Sequence, residues 1–112
     1  MTLDALRVYG AKTDEGMGRC LNDEPFYLEM VAMALADGNF EKLQAAMDAG
    51  DARTAFAAAH SLKGAIGNVA LTPIYEPVCA LTEALRGRDV PPDGCGALAE
   101  QIMAAREKAL AL

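Results

Sequence analysis

Apolar residues recur along this chain at helical intervals, and no stretch alternates as a half-buried strand would. The longest regular pattern begins near Asp51. At about 100° per residue, Ala55, Ala58, Leu62, Ala65, Ile66 and Val69 fall on one side of a helix expected to reach roughly Leu71. This is the stripe such a helix buries. His60 lies nearly opposite it, with Arg53, Phe56, Ala57, Lys63, Gly64 and Gly67 as its outward neighbours.

The remaining elements follow from their caps. Thr2 opens a short helix through Tyr9 that Gly10 closes. A helical turn over Glu15 to Leu21 is expected next. Asn22, followed by Asp23, Glu24 and Pro25, reads as the start of a helix to about Asp37, with Phe26, Met30, Met33 and Ala34 at helical spacing and Gly38 as the stop. Asn39 is expected to cap a helix through Ala49 carrying Phe40, Leu43 and Met47. Gly50 ends it, and Asp51 caps the histidine helix. Leu71, Ile74, Val78, Leu81 and Leu85 mark the next stripe. Its start is open between Thr72-Pro73 and Glu76, because Pro77 lacks a backbone donor. Gly87 to Gly96 forms a loop. A last helix from about Gly96 to Ala111 carries Leu98, Ile102, Ala105 and Ala109. The short connections at Gly38 and Gly50 favour antiparallel neighbours. The expected fold is all-α: an antiparallel four-helix bundle with one or two additional short N-terminal helices, as a single domain over residues 1–112.

Composition narrows the function. Alanine and leucine are plentiful and there is no tryptophan, which suits closely packed helices. The net charge of −6 argues against a nucleic-acid partner and disfavours anionic membranes. No apolar run spans a bilayer, and the N-terminus lacks the layout of a signal peptide. Three cysteines without a C-x-x-C pair read as reduced thiols. One histidine and three dispersed cysteines do not make a metal site. Ser61 sits about 100° round the helix from His60 and cannot serve as its nucleophile. No G-x-x-x-x-G-K-[ST] phosphate loop occurs.

Two glycines in mid-helix require a reason, since each costs roughly 1 kcal/mol relative to alanine. Gly64 and Gly67 share the face of His60, so we read a bare strip giving a bulky partner access to the imidazole. Close helix packing is the alternative reading of the same pair. Lys63 adds a positive charge one turn on. Phe56 is open between two roles: folding back against a flanking helix, or forming a docking patch with Ala57.

His60-Ser61-Leu62-Lys63-Gly64, preceded by alanines and followed by small residues, resembles the signature of histidine-containing phosphotransfer (HPt) domains. The resemblance implies a helical bundle that passes a phosphoryl group within two-component multistep phosphorelays. It puts the phosphoryl group on His60, a supporting cation on Lys63 and an open approach at Gly64. Many members carry a further glycine where this chain has Ala70. The implied partners are response-regulator receiver domains and a sensor or hybrid histidine kinase, met through Arg53, Phe56, Ala57 and Gly67. Mg2+ is expected on the partner receiver, with no cofactor on this chain. The expectation is a cytoplasmic, monomeric phosphocarrier without catalytic activity of its own. The alternatives are the phosphoacceptor domain of a histidine kinase and a phosphate-independent helical adaptor.

Overall fold

A computed structural model describes residues 1–112. Seven helices form: α1 (Leu3–Tyr9), α2 (Thr13–Arg19), α3 (Glu24–Leu35), α4 (Asn39–Asp48), α5 (Ala52–Asn68), α6 (Thr72–Leu85) and α7 (Cys95–Leu110). The bundle is built by α4 to α7, each packed on the next, with α7 returning to α4. Helix α3 touches both α5 and α7, and the short α1 and α2 complete the N-terminal side. The expected stripes of α5 and α6 are buried apart from the half-buried Ala65, with Leu62, Ile66, Ile74, Val78, Leu81 and Leu85 completely so. Phe40 and Leu43 of α4 and Ile102 of α7 join them. No helix is long and apolar enough to cross a membrane.

Several boundaries differ from the expected ones, each for a local reason. Helix α2 occupies Thr13–Arg19, not Glu15 to Leu21, because Leu21 and Asn22 adopt left-handed backbone with φ of 58° and 57°. Asn22 therefore cannot cap α3. Asp23 does so, its carboxylate accepting the Phe26 N–H at 3.0 Å. Helix α3 is rotated by about one residue from its expected face. Tyr27, Val31, Ala34 and Leu35 are buried, whereas Phe26 and Met33 are 42% and 60% exposed. Tyr27 drives this rotation: its ring lies against Gly16 of α2, where an added Cβ would overlap Tyr27 Cε1. Its hydroxyl donates to the Val69 carbonyl at 2.9 Å.

Helix α3 ends at Leu35, and Asp37 turns to the next helix. Its carboxylate accepts the Asn39 N–H at 2.8 Å in that turn; Asn39, expected to cap α4, is its first helical residue, and Gly38 holds the cap position without a side-chain bond. Helix α5 stops at Asn68, short of Leu71, because Ala70 turns left-handed at φ 59°. Helix α6 starts at Thr72 and runs through Pro77, which overturns a start at Glu76. Pro77 removes one donor from the second turn, but flanking Ile74, Val78 and Leu81 are fully buried and hold the helix. The loop from Arg86 to Gly94 is tied to the start of α5 by Ala52 N–H donating to the Asp89 carbonyl at 3.3 Å.

Candidate functional site around His60

Helix α5 sets the site because its two faces differ. Asp51 caps it, accepting the Thr54 N–H at 3.1 Å and the Thr54 hydroxyl at 2.6 Å. The Thr54 hydroxyl is the main reason the Asp51 carboxyl is held below its ordinary value, with the backbone N–H adding to it. Ala55, Ala58, Leu62 and Ile66 are buried on one side, and this places His60 on the exposed side.

His60 stands at the wall of a groove of about 710 Å3 between α5, α6 and α2. Lys63, Gly64 and Gly67 line the same groove, and Lys12, Glu15 and Arg19 enter it from the N-terminal region. Lys12, Arg19 and Lys63 form none of the ion pairs in the protein, which join Arg7 to Asp4, Arg53 to Asp89, Arg86 to Glu83 and Arg106 to Glu41. Arg19 instead donates to the Gly67 carbonyl at 2.7 Å and more distantly to that of Asn68 at 3.5 Å. It thus places a cation at the negative end of α5. No three His, Cys, Asp or Glu side chains converge so as to hold a metal ion.

The expected site residues separate into two groups. His60, Lys63, Gly64 and Gly67 come together in the groove. Arg53 does not: its guanidinium is bound to Asp89 at 2.8 Å, beside the loop before α7. Phe56 turns to its own molecule, stacking on His60 with ring centroids 5.8 Å apart and planes 19° from parallel. Ala57 is exposed but does not line the groove.

The two glycines also separate. A Cβ on Gly64 would meet nothing within 4 Å, so this residue is a true opening beside the imidazole. On Gly67 it would lie 2.7 Å from Tyr75 Cε1. Gly67 is a close-packing glycine that admits the α6 tyrosine, and the bare-strip reading holds for Gly64 alone. Tyr75 shares the groove, its hydroxyl pKa raised chiefly by hydrogen bonding to the Cys79 thiol.

Spacing alone does not mark Lys12, Glu15, Arg19 and Tyr75 as lining residues. One signal was present: Gly16 and Gly18 lie within a helical stretch, as Gly64 and Gly67 do, and an interior glycine marks close approach. Applied to Gly16, it places α2 tightly against the bundle, although nothing local shows which helix it meets.

The Hpt domain family profile matches residues 29–109, or 81 of the 112 residues. Helices α1 and α2 lie outside the matched span, so one wall of the groove comes from beyond it. No curated protein and no solved structure shows significant similarity to the chain. On the extent of the family match, the chain belongs to the Hpt domain family, the phosphotransfer modules of two-component signalling.

Proposed function

We propose that the chain is a phosphocarrier in a multistep phosphorelay, with His60 as the residue that accepts and returns the phosphoryl group. One observation carries the reading: the only histidine is exposed on a groove that also holds Lys63 and the open position at Gly64. The unprotonated imidazole nitrogen attacks phosphorus of an aspartyl phosphate on a receiver domain. A P–N bond forms as the P–O bond breaks, and the aspartate carboxylate leaves with the electron pair. The imidazolium formed then releases its ring proton to solvent. In the onward step the ring takes a proton back from solvent, a second receiver's carboxylate attacks phosphorus, and the P–N bond breaks with its electron pair returning to the ring nitrogen.

Each neighbour has a task on this reading. Lys63 faces the negative phosphoryl oxygens as the group arrives, the charge stabilisation such transfer depends on. Gly64 leaves the approach path clear. The acidic Mg2+ site belongs to the receiver, and no residue of this chain is assigned to it. Receiver domains and a histidine kinase are the partners, and the contact is reversible, because a carrier must let each partner go.

The test is phosphoryl transfer from a phosphorylated receiver to three proteins. The parent should be labelled and His60→Gln should not. Gly64→Leu should block transfer while keeping or raising helicity, since leucine is the better helix former by nearly 1 kcal/mol and meets open space. Labelling of His60→Gln contradicts the carrier assignment. Undiminished transfer by Gly64→Leu contradicts the approach path.

A further inference from the structure

The imidazole does not stand alone on the surface. Phe56, one turn earlier on α5, stacks against it with centroids 5.8 Å apart. The Arg86 guanidinium carbon lies over the Phe56 ring, 5.1 Å from its centroid. Arg86 in turn is gripped by Glu83, its Nη2 donating to Oε1 at 3.0 Å and its Nε to Oε2 at 3.3 Å. The order Glu83, Arg86, Phe56, His60 makes a continuous brace from the C-terminal end of α6 to the imidazole.

Each joint has a physical basis. The two-point grip fixes the plane of the guanidinium. A guanidinium over an aromatic ring is attracted to its π face, and stacked aromatic rings attract each other beyond simple burial. Phe56 is also packed against the core, so its ring has a firm base. The Glu83 carboxyl is held below its ordinary value, first by Arg86 and to a lesser degree by the charge of Lys63.

An exposed histidine otherwise samples several χ1 wells and a broad χ2. Attack on phosphorus needs the nitrogen lone pair aligned and close, and misplacement by about 1 Å can cost a factor of about 100. Resting on the proposed role of His60, we infer that Phe56 is a positioning residue for phosphoryl transfer, holding the imidazole in its attacking orientation, with Arg86 and Glu83 bracing it. Phe56 thereby acts on the chemical step and not on receiver affinity.

The experiment uses the full chain and a phosphorylated receiver whose concentration is varied, so that maximal rate and half-saturation are read separately. Phe56→Leu should lower the maximal rate about tenfold and leave half-saturation unchanged, while Phe56→Tyr restores the rate. Arg86→Gln, at an exposed position, should lower the rate about threefold without disturbing the fold. His60 is the only histidine, so its ring-proton resonances are unambiguous in an NMR spectrum. The displacement imposed by the stacked ring should vanish in Phe56→Leu and persist in Phe56→Tyr.

Raised half-saturation with an unchanged maximal rate would make Phe56 a docking contact and overturn the inference. Unchanged kinetics in both Phe56→Leu and Arg86→Gln would overturn it too. The unsubstituted control separates these results from failure of the His60 reading, in which the parent itself would take no phosphoryl group.

Discussion

The two ends of α5 are closed in opposite ways. At the N-terminus, Asp51 bonds Thr54 three residues on, and the negative cap meets the positive end of the helix dipole. At the C-terminus the work is done from far away. Arg19 reaches the Gly67 carbonyl from 48 positions away, and Tyr27 reaches that of Val69 from 42. The Lys12 N–H takes the Ala70 carbonyl at 3.0 Å. Carbonyls left free at a helix end need partners, and here the N-terminal segment provides them. Helices α2 and α3 are therefore part of the site's foundation: they hold the end of the helix beside the groove, and α2 also walls the groove itself.

The distant closure of α5 is tested most strongly at Tyr27. Tyr27→Phe keeps the buried ring but leaves the Val69 carbonyl without its donor, for an expected loss of about 2 kcal/mol by denaturant unfolding. No loss would mean that the distant closure of α5 carries little weight. Alanine-to-glycine changes sharpen it next. Ala55→Gly, the fourth residue of α5 and fully buried, should cost about 1–2 kcal/mol from lost propensity and methyl burial. Ala70→Gly should cost nothing or stabilise, because release from φ 59°, a strain of about 1–2 kcal/mol, offsets the lost methyl. Equal losses at both positions would contradict the left-handed turn.

The smallest effect belongs to the local end. The Asp51 carboxyl titrates below its ordinary value of 3.8 in the folded protein. The stabilisation is therefore complete above the unfolded value and lost as pH falls through the folded one. Asp51→Ala should lower the melting temperature at neutral pH, and the gap from the parent should close on acidification through that range. A gap that does not change with pH would remove the carboxylate from the cap.

Legibility followed the same division. The stripes of α5 and α6, the caps Thr2 and Asp51, and the exposed face of His60 depend on neighbours within a turn or two, and they could be read from spacing. The buried face of α3 could not. Phe26, Met30 and Met33 are as apolar as the residues beside them, and what selects Tyr27 is space over Gly16 and a free carbonyl at Val69. Gly64 and Gly67 were indistinguishable in sequence because only the position of Tyr75 separates them. Arg53 shares the outward face of His60 in spacing, but its exposed guanidinium pairs with Asp89 of the loop, outside the groove, a partner that spacing does not reveal. Ala70 is a related case: a residue other than glycine takes the left-handed turn, held there by Lys12 N–H on one side and the buried Leu71 on the other.

The most direct measurement is mass-spectrometric localisation of the phosphoryl group after incubation with a phosphorylated receiver domain, beside a His60→Gln control. The account predicts a single acid-labile, base-stable phosphoryl group on His60 and none on the control. Label on another residue, or equal label on both proteins, would contradict it.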